Sequence, residues 1–206
     1  AIAQRSFDSS PIYSDLETLK QWSNNRNKKQ TERTVNFYNS ISLHDGNRFT
    51  GSRSKLNSLE NFHPRASQLL SDLNQFFKAL EQSNRKILVV MVPEHGAAVK
   101  GDSLQIAGLR EIPSQSITNV PVGFRLFGPG IKRPDSSLLV SKPTSHLAVA
   151  HVISQLIQAD PFGEGSYQPF DIAAGIPSTH FVAENEGTVM LKKNNEFWMK
   201  YDNNDW

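Results

Sequence analysis

No cysteine occurs in the 206 residues, so the chain can build neither a disulfide framework nor a thiolate metal site, and thiol usage leaves cytosol and periplasm equally open. Long apolar runs are missing too. The longest, Ile87–Val92, is far short of the roughly 20 residues a membrane-spanning helix needs. Charge of one sign is not in excess, because 22 basic and 20 acidic side chains leave a formal net charge of +2. That balance argues against a protein that holds nucleic acid by neutralising phosphates. No Gly-x-Ser-x-Gly elbow and no phosphate-cradling glycine loop occur, and no internal repeat or low-complexity tract interrupts the chain. The first residue is Ala1 and no signal-peptide pattern follows it, so a processed chain or a piece of something longer is expected.

What is present is a composition of 37% apolar and 20% charged residues, which fits one globular domain. Ser and Asn, 39 positions together, favour caps and turns and predict a loop-rich surface where sites usually sit. Ser14 with Glu17 three residues on, then Leu16, Leu19 and Trp22, predicts a helix over Asp15–Asn25. Arg26, Lys28, Lys29 and Arg33 read as a solvated basic turn. The β-branched and aromatic Thr34–Tyr38 predicts a strand, and Ser40–Gly51 a loop holding His44 and Asp45. A long amphipathic helix is predicted from Pro64 through Ala66, Leu69, Leu70, Leu73, Phe76, Phe77 and Leu80. Ile87–Val92, apolar on both faces, predicts a strand in the middle of a parallel sheet. Val120–Phe127 predicts another strand, and Ser145 opens a helix with Val149, Val152, Ile153, Leu156 and Ile157 on one face. Gly163–Pro177 reads as loop, and Val189–Leu191 with Phe197–Tyr201 around Asn194 and Asn195 as a terminal hairpin. The expected class is α/β, with a mixed, mainly parallel sheet flanked by helices and no second domain.

In such a sheet ligands bind beyond the carboxyl ends of the strands, which directs attention to Pro93, Glu94, His95 and Gly96. An adjacent carboxylate and imidazole are a donor pair for a zinc ion, although a dipeptide is also compatible with an ordinary surface turn. The stretch from Pro93 to about Thr118 has no clear period, and segments of that length inside a compact domain are usually functional. His44 in its loop is a candidate to hold a phosphate oxygen or protonate a leaving group, or else a solvated histidine. Arg110 is a candidate clamp for an anionic phosphoryl group, or else an ion-pair partner of Glu111 or another neighbour. His63, before Pro64, reads as a helix-entry residue, His146 and His151 lie on or beside the late helix, and His180 is left open. Trp22, Trp198 and Trp206 are candidates for stacking against a glycan or for ordinary packing.

Several separated motifs fall together in order: Phe7–Pro11, Leu43–Gly46 (LHDG), Val89–Gly96 (VVMVPEHG), Lys100–Asp102, Ile106–Pro113 (IAGLREIP) and Ile117–Gly123 (ITNVPVG). In these the chain resembles the bacterial cellulose phosphoethanolamine transferase family, BcsG, more weakly after Ser145. The resemblance implies an inner-membrane protein whose periplasmic catalytic domain, of the alkaline phosphatase superfamily, moves phosphoethanolamine from phosphatidylethanolamine to the 6-hydroxyl of cellulose glucose units. It also implies a zinc ion, Zn2+, held by Glu94 and His95 together with a cysteine and a nucleophilic serine that lie upstream of this chain. His44 and Arg110 fall on the family's active-site histidine and arginine. The implied partners are phosphatidylethanolamine as donor, cellulose as acceptor and subunits of the cellulose synthase complex, with a membrane anchor in the absent N-terminal segment. Residues 1–206 are then the C-terminal portion of one catalytic domain, inactive alone. A phosphatase or sulfatase of the same superfamily and a non-catalytic scaffold of the synthase complex are the competing readings.

Overall fold

The computed structural model describes residues 1–28, 33–52, 57–131, 137–163, 169–185 and 187–201. They divide into two compact units, Ala1–Ser83 with Val99–Gly101, and Asn84–Ala98 with Asp102–Trp206. No described helix is long and apolar enough to cross a membrane. Lys29 of the basic turn and Trp206 lie outside the described residues.

The first unit is a small antiparallel sheet and two helices. Strand β1 (Ile2–Arg5) pairs with β2 (Pro11–Tyr13) and with β3 (Arg48–Phe49), both antiparallel. Helix α1 (Asp15–Asn27) begins where expected because the Ser14 hydroxyl accepts from the Glu17 amide, and Asp72 of the next helix accepts from the Leu16 amide at 3.4 Å. Helix α2 (Ser58–Gln82) starts a turn and a half before Pro64. Asn57 and Glu60 close a reciprocal capping box there, so the helix nucleates at Ser58 and Pro64 is carried inside it, costing one backbone hydrogen bond. The buried stripe of α2 holds Phe76 and Leu80 but also two charged residues, Arg65 and Asp72. Trp22 meets Phe76 edge-on at 6.3 Å between ring centroids, so it joins α1 to α2 and is packing rather than a free glycan platform.

The strand expected at Thr34–Tyr38 does not form. These residues have no ladder partner among the described residues, and Val35 and Phe37 are 100% and 89% exposed, so β-propensity is left without the pairing that makes a strand.

In the second unit β4 (Ile87–Met91) appears as expected but pairs antiparallel with β5 (Gly123–Phe127), from Ile87 opposite Phe127 to Met91 opposite Gly123. The mainly parallel sheet is not found among the described residues, whose three sheets are antiparallel throughout. A continuous apolar run specifies a strand with two covered faces but not the direction of its neighbour. Helix α3 (Gln115–Thr118) lies in the excursion between β4 and β5. Helix α4 (His146–Ala159), capped by Ser145, buries Ala148, Val152 and Leu156 and leaves Ile157 exposed. Gly163–Pro177 is not wholly loop: Pro169–Gly175 form a short helix, α5, with proline in its first turn, while residues 164–168 lie outside the described set. Strands β6 (Phe181–Asn185), β7 (Thr188–Lys193) and β8 (Glu196–Tyr201) close the chain as an antiparallel sheet. The expected β7–β8 hairpin turns at Asn194 and Asn195, at φ 52° and 65°, the left-handed pair a two-residue turn requires.

If the capping box sets the start of α2, Asn57→Ala should cost about 1 kcal/mol, which lowers the melting temperature by roughly 2–4 °C in a chain of this size. Thermal unfolding followed by circular dichroism measures it, and an unchanged midpoint would remove the box as the nucleating feature.

Candidate functional site

Two loops, one in each unit, carry the four residues singled out from the sequence. In the first unit, residues 41–47 lead into β3 as a tight turn. The Ile41 carbonyl accepts from the His44 amide at 3.1 Å and from the Asn47 side-chain amide at 2.6 Å. Arg65 of α2 reaches under this turn and donates one guanidinium nitrogen to the carbonyls of both Ser42 and His44, at 2.6 and 3.0 Å. It is completely buried, and desolvation lowers its pKa from the ordinary arginine value. The exposed His44 ring is oriented by its own chain. Nδ1 lies 2.8 Å from the Asp45 carbonyl, which can only accept, so Nδ1 carries a proton. Phe7, from the β1–β2 turn, stacks on the ring at 6.4 Å. Gly46 is at φ 77°, and a Cβ there would come within 2.9 Å of the Phe7 Cβ, which accounts for glycine in the LHDG motif and for the aromatic in the Phe7–Pro11 motif.

A second buried network braces the start of this turn. Asp15 accepts from the Tyr38 hydroxyl at 2.6 Å and from the Ser42 hydroxyl. Burial and the neighbouring Asp15 carboxylate raise the Tyr38 phenol well above its usual range.

In the second unit, Glu94 and His95 stand just past the carboxyl end of β4, where the rule for open sheets placed them. The turn is pressed against α3. The Gly96 amide donates to the Ile117 carbonyl at 2.5 Å, and a Cβ on Gly96 would lie 2.1 Å from the Ser116 carbonyl oxygen, so only glycine fits. His95 Nδ1 is 2.6 Å from the Gly96 carbonyl, and its Nε2 accepts from Arg110 Nη1 at 2.7 Å. Both contacts require the same neutral tautomer, with the proton on Nδ1. Arg110 is thus brought to His95.

The Arg110 loop is held from three sides. Asp102 accepts from the Ser114 and Ser116 hydroxyls, the latter at 2.7 Å, and from the Leu104 and Gln105 amides at 2.8 and 3.0 Å. Gln105 bridges to the Ile112 carbonyl and amide. Asn185 of β6 donates to the Glu111 carbonyl at 2.7 Å, a brace that no sequence motif announced. Glu94, His95 and Arg110 line a broad open cleft of about 2800 Å³, together with apolar Leu139, Leu147 and Phe170. Trp198, on β8, is 46% exposed, and His180 is tied to β7 through the Lys192 amide and carbonyl.

A zinc ion takes a histidine nitrogen through its lone pair while the other ring nitrogen donates to a carbonyl or carboxylate, which is the state of His95. The exposed Glu94 carboxylate next to it is an oxygen donor of suitable type. Among the described residues no group of three or more His, Cys, Asp or Glu is gathered, so these two fit part of a tetrahedral shell.

The family model for the C-terminal domain of cellulose biosynthesis protein BcsG matches residues 1–206. The chain belongs to the BcsG family. It is 37% identical over 201 residues to the cellulose biosynthesis protein BcsG of Salmonella typhimurium strain LT2, a match covering 98% of this chain and 35% of that protein. It is 36% identical over 200 residues to the protein of the same name from Escherichia coli K12, covering 97% of this chain and 35% of that protein. The chain therefore spans about a third of the length of the BcsG relatives it matches.

The Asp102 contacts predict an acid sensitivity. Hydrogen bonds from Ser114 and Ser116 hold its carboxyl below the ordinary 3.8. A carboxyl depressed in the folded state contributes stability that is full above about pH 4 and is lost as pH falls through the folded value. The melting temperature should fall as pH drops below about 4, and fall less in Asp102→Asn. Parallel slopes in both proteins would show that Asp102 is not the group that titrates.

Proposed function

We propose that this chain is the C-terminal part of a periplasmic catalytic domain, of alkaline phosphatase type, that transfers phosphoethanolamine from phosphatidylethanolamine to the 6-hydroxyl of cellulose glucose units during bacterial cellulose biosynthesis. The observation that carries the reading is the state of His95 at the end of β4, with Nδ1 spent on a carbonyl, Nε2 a lone-pair acceptor engaged by Arg110, and the cleft beside it. Membership in a family named for cellulose biosynthesis supports the process. On this reading the remaining two-thirds of the full-length protein supplies the nucleophile, the other metal ligands, the further strands of a mainly parallel sheet and an inner-membrane anchor. Contacts with cellulose synthase subunits belong to that larger protein.

Zinc, when bound through Glu94 and His95, would lower the pKa of a serine hydroxyl and screen charge developing on phosphorus. Arg110 holds a non-bridging phosphoryl oxygen with paired donors once its guanidinium leaves His95 Nε2. In the donor half-reaction His44, as imidazolium, gives its Nε2 proton to the departing diacylglycerol oxygen, and the neutral Nε2 that results takes the proton of the attacking sugar hydroxyl, which restores the imidazolium. Its Nδ1 proton stays on the Asp45 carbonyl throughout, which fixes the ring for both steps.

The test uses the full-length protein in phosphatidylethanolamine vesicles with zinc, following diacylglycerol release and transfer to a soluble cello-oligosaccharide. Glu94→Ala should lose bound zinc and both half-reactions. Arg110→Ala should slow both by about 10²–10³-fold, as expected for removing a charged donor to the transition state. Unchanged zinc content and rate in Glu94→Ala would overturn the metal assignment, and release of phosphoethanolamine to water whether or not glucan is present would make the enzyme a hydrolase.

A further inference from the structure

Arg65 stands out as a charge with no motif to explain it. It lies on the buried stripe of α2 in register with Asp72, Phe76 and Leu80, where a leucine would pack, and is 0% exposed. Its guanidinium pairs with no carboxylate among the described residues. Nε donates to the Asn61 carbonyl at 3.1 Å, Nη1 to the carbonyls of Ser42 and His44, and Nη2 has no hydrogen-bond partner. Burying a guanidinium with one nitrogen unsatisfied is unfavourable relative to an apolar side chain of similar volume, so stability is a poor reason for this residue. What arginine offers here is geometry: a planar group on a long stem that joins the helix to two carbonyls flanking Leu43, one of them His44's own.

Resting on the assignment of proton transfer to His44, we propose that Arg65 is a positioning residue for that histidine, acting through the backbone of the 41–47 turn. The turn is also held by Asn47 and the His44 amide at the Ile41 carbonyl, by Asp15 at the Ser42 hydroxyl, by the Asn47 amide at the His44 carbonyl and by Asn61, which donates to the Asn47 carbonyl at the far end. Between these anchors the two carbonyls held by Arg65 set the direction in which the His44 Cα–Cβ bond leaves the turn. The Nδ1 contact to Asp45 then fixes only rotation of the ring. Arg65 itself touches no reacting atom, because its side chain is sealed beneath the turn.

The experiment is a double-mutant cycle in the full-length protein, measuring kcat and KM for transfer from phosphatidylethanolamine vesicles in wild type, Arg65→Lys, His44→Ala and the pair. Lysine keeps the charge but loses the fork. Arg65→Lys is expected to lower kcat on the order of 10–100-fold with KM within about two-fold, since a misdirected group costs turnover rather than binding. The pair should be little worse than His44→Ala alone, because once the imidazole is gone its support has nothing to act on. Full additivity, or an unaffected kcat in Arg65→Lys while His44→Ala is impaired, would overturn the positioning role and leave the transfer reading standing. An unimpaired His44→Ala removes the His44 assignment and this proposal with it, whereas Glu94 and its metal are judged separately by zinc content. Should Arg65→Lys fail to fold, Arg65→Gln, which keeps a planar donor without the buried charge, takes its place in the same cycle with the same outcomes.

Discussion

The carbonyls of Ser42 and His44, held by one buried guanidinium, show in miniature the constraint on which both candidate loops depend. A loop has no ladder in which its carbonyls can find donors, and carbonyls turned inward must be answered by side chains or water. Here side chains answer them alongside the turn's own His44 and Asn47 amides. Arg65 and Asn47 serve the His44 turn, Gln105 and Asn185 serve the Arg110 loop, and each histidine donates its own Nδ1 to the carbonyl of the next residue. The last arrangement has a chemical result, since it makes Nε2 the nitrogen through which each ring meets other groups, and at His95 that nitrogen accepts from Arg110.

The second unit adds a steric constraint. The antiparallel β4–β5 pair closes the base of a long excursion, so Glu94 and His95 leave from one strand end and the chain returns through α3 to the other. Gly96 lets the outgoing turn come into backbone contact with the returning segment, and Asp102 and Gln105 tie off the loop between. Arg110 meets His95 because the ends of its loop are fixed in this way, although fifteen positions separate the two in sequence. In the first unit the same economy brings Phe7, from a hairpin turn near the start of the chain, onto His44.

Legibility followed physical range. The stripe of α2, the capped starts of α1 and α4, the apolar run of β4 and the Asn194–Asn195 turn are local signals, because a helix face or a two-residue turn is encoded within a few positions. Strand readings were weaker, since a strand exists only where a partner supplies hydrogen bonds. Thr34–Tyr38 has the propensity and no ladder partner among the described residues, while Phe181–Asn185 was not anticipated and is paired with β7. Nothing in the sequence singles out Arg65, and only the turn packed over it makes it an anchor.

The sequence by itself determined the four chemical groups, His44, Glu94, His95 and Arg110, the short-range elements that carry them and, through its ordered motifs, the BcsG family. The tertiary structure alone decided that β4 takes an antiparallel neighbour, that Arg110 pairs with His95 rather than with Glu111, and which nitrogen each imidazole presents. The division has one cause. Residue type and local periodicity are properties of the chain, whereas a hydrogen-bond partner, a tautomer and a strand direction belong to pairs of atoms that only folding brings within about 3 Å of each other.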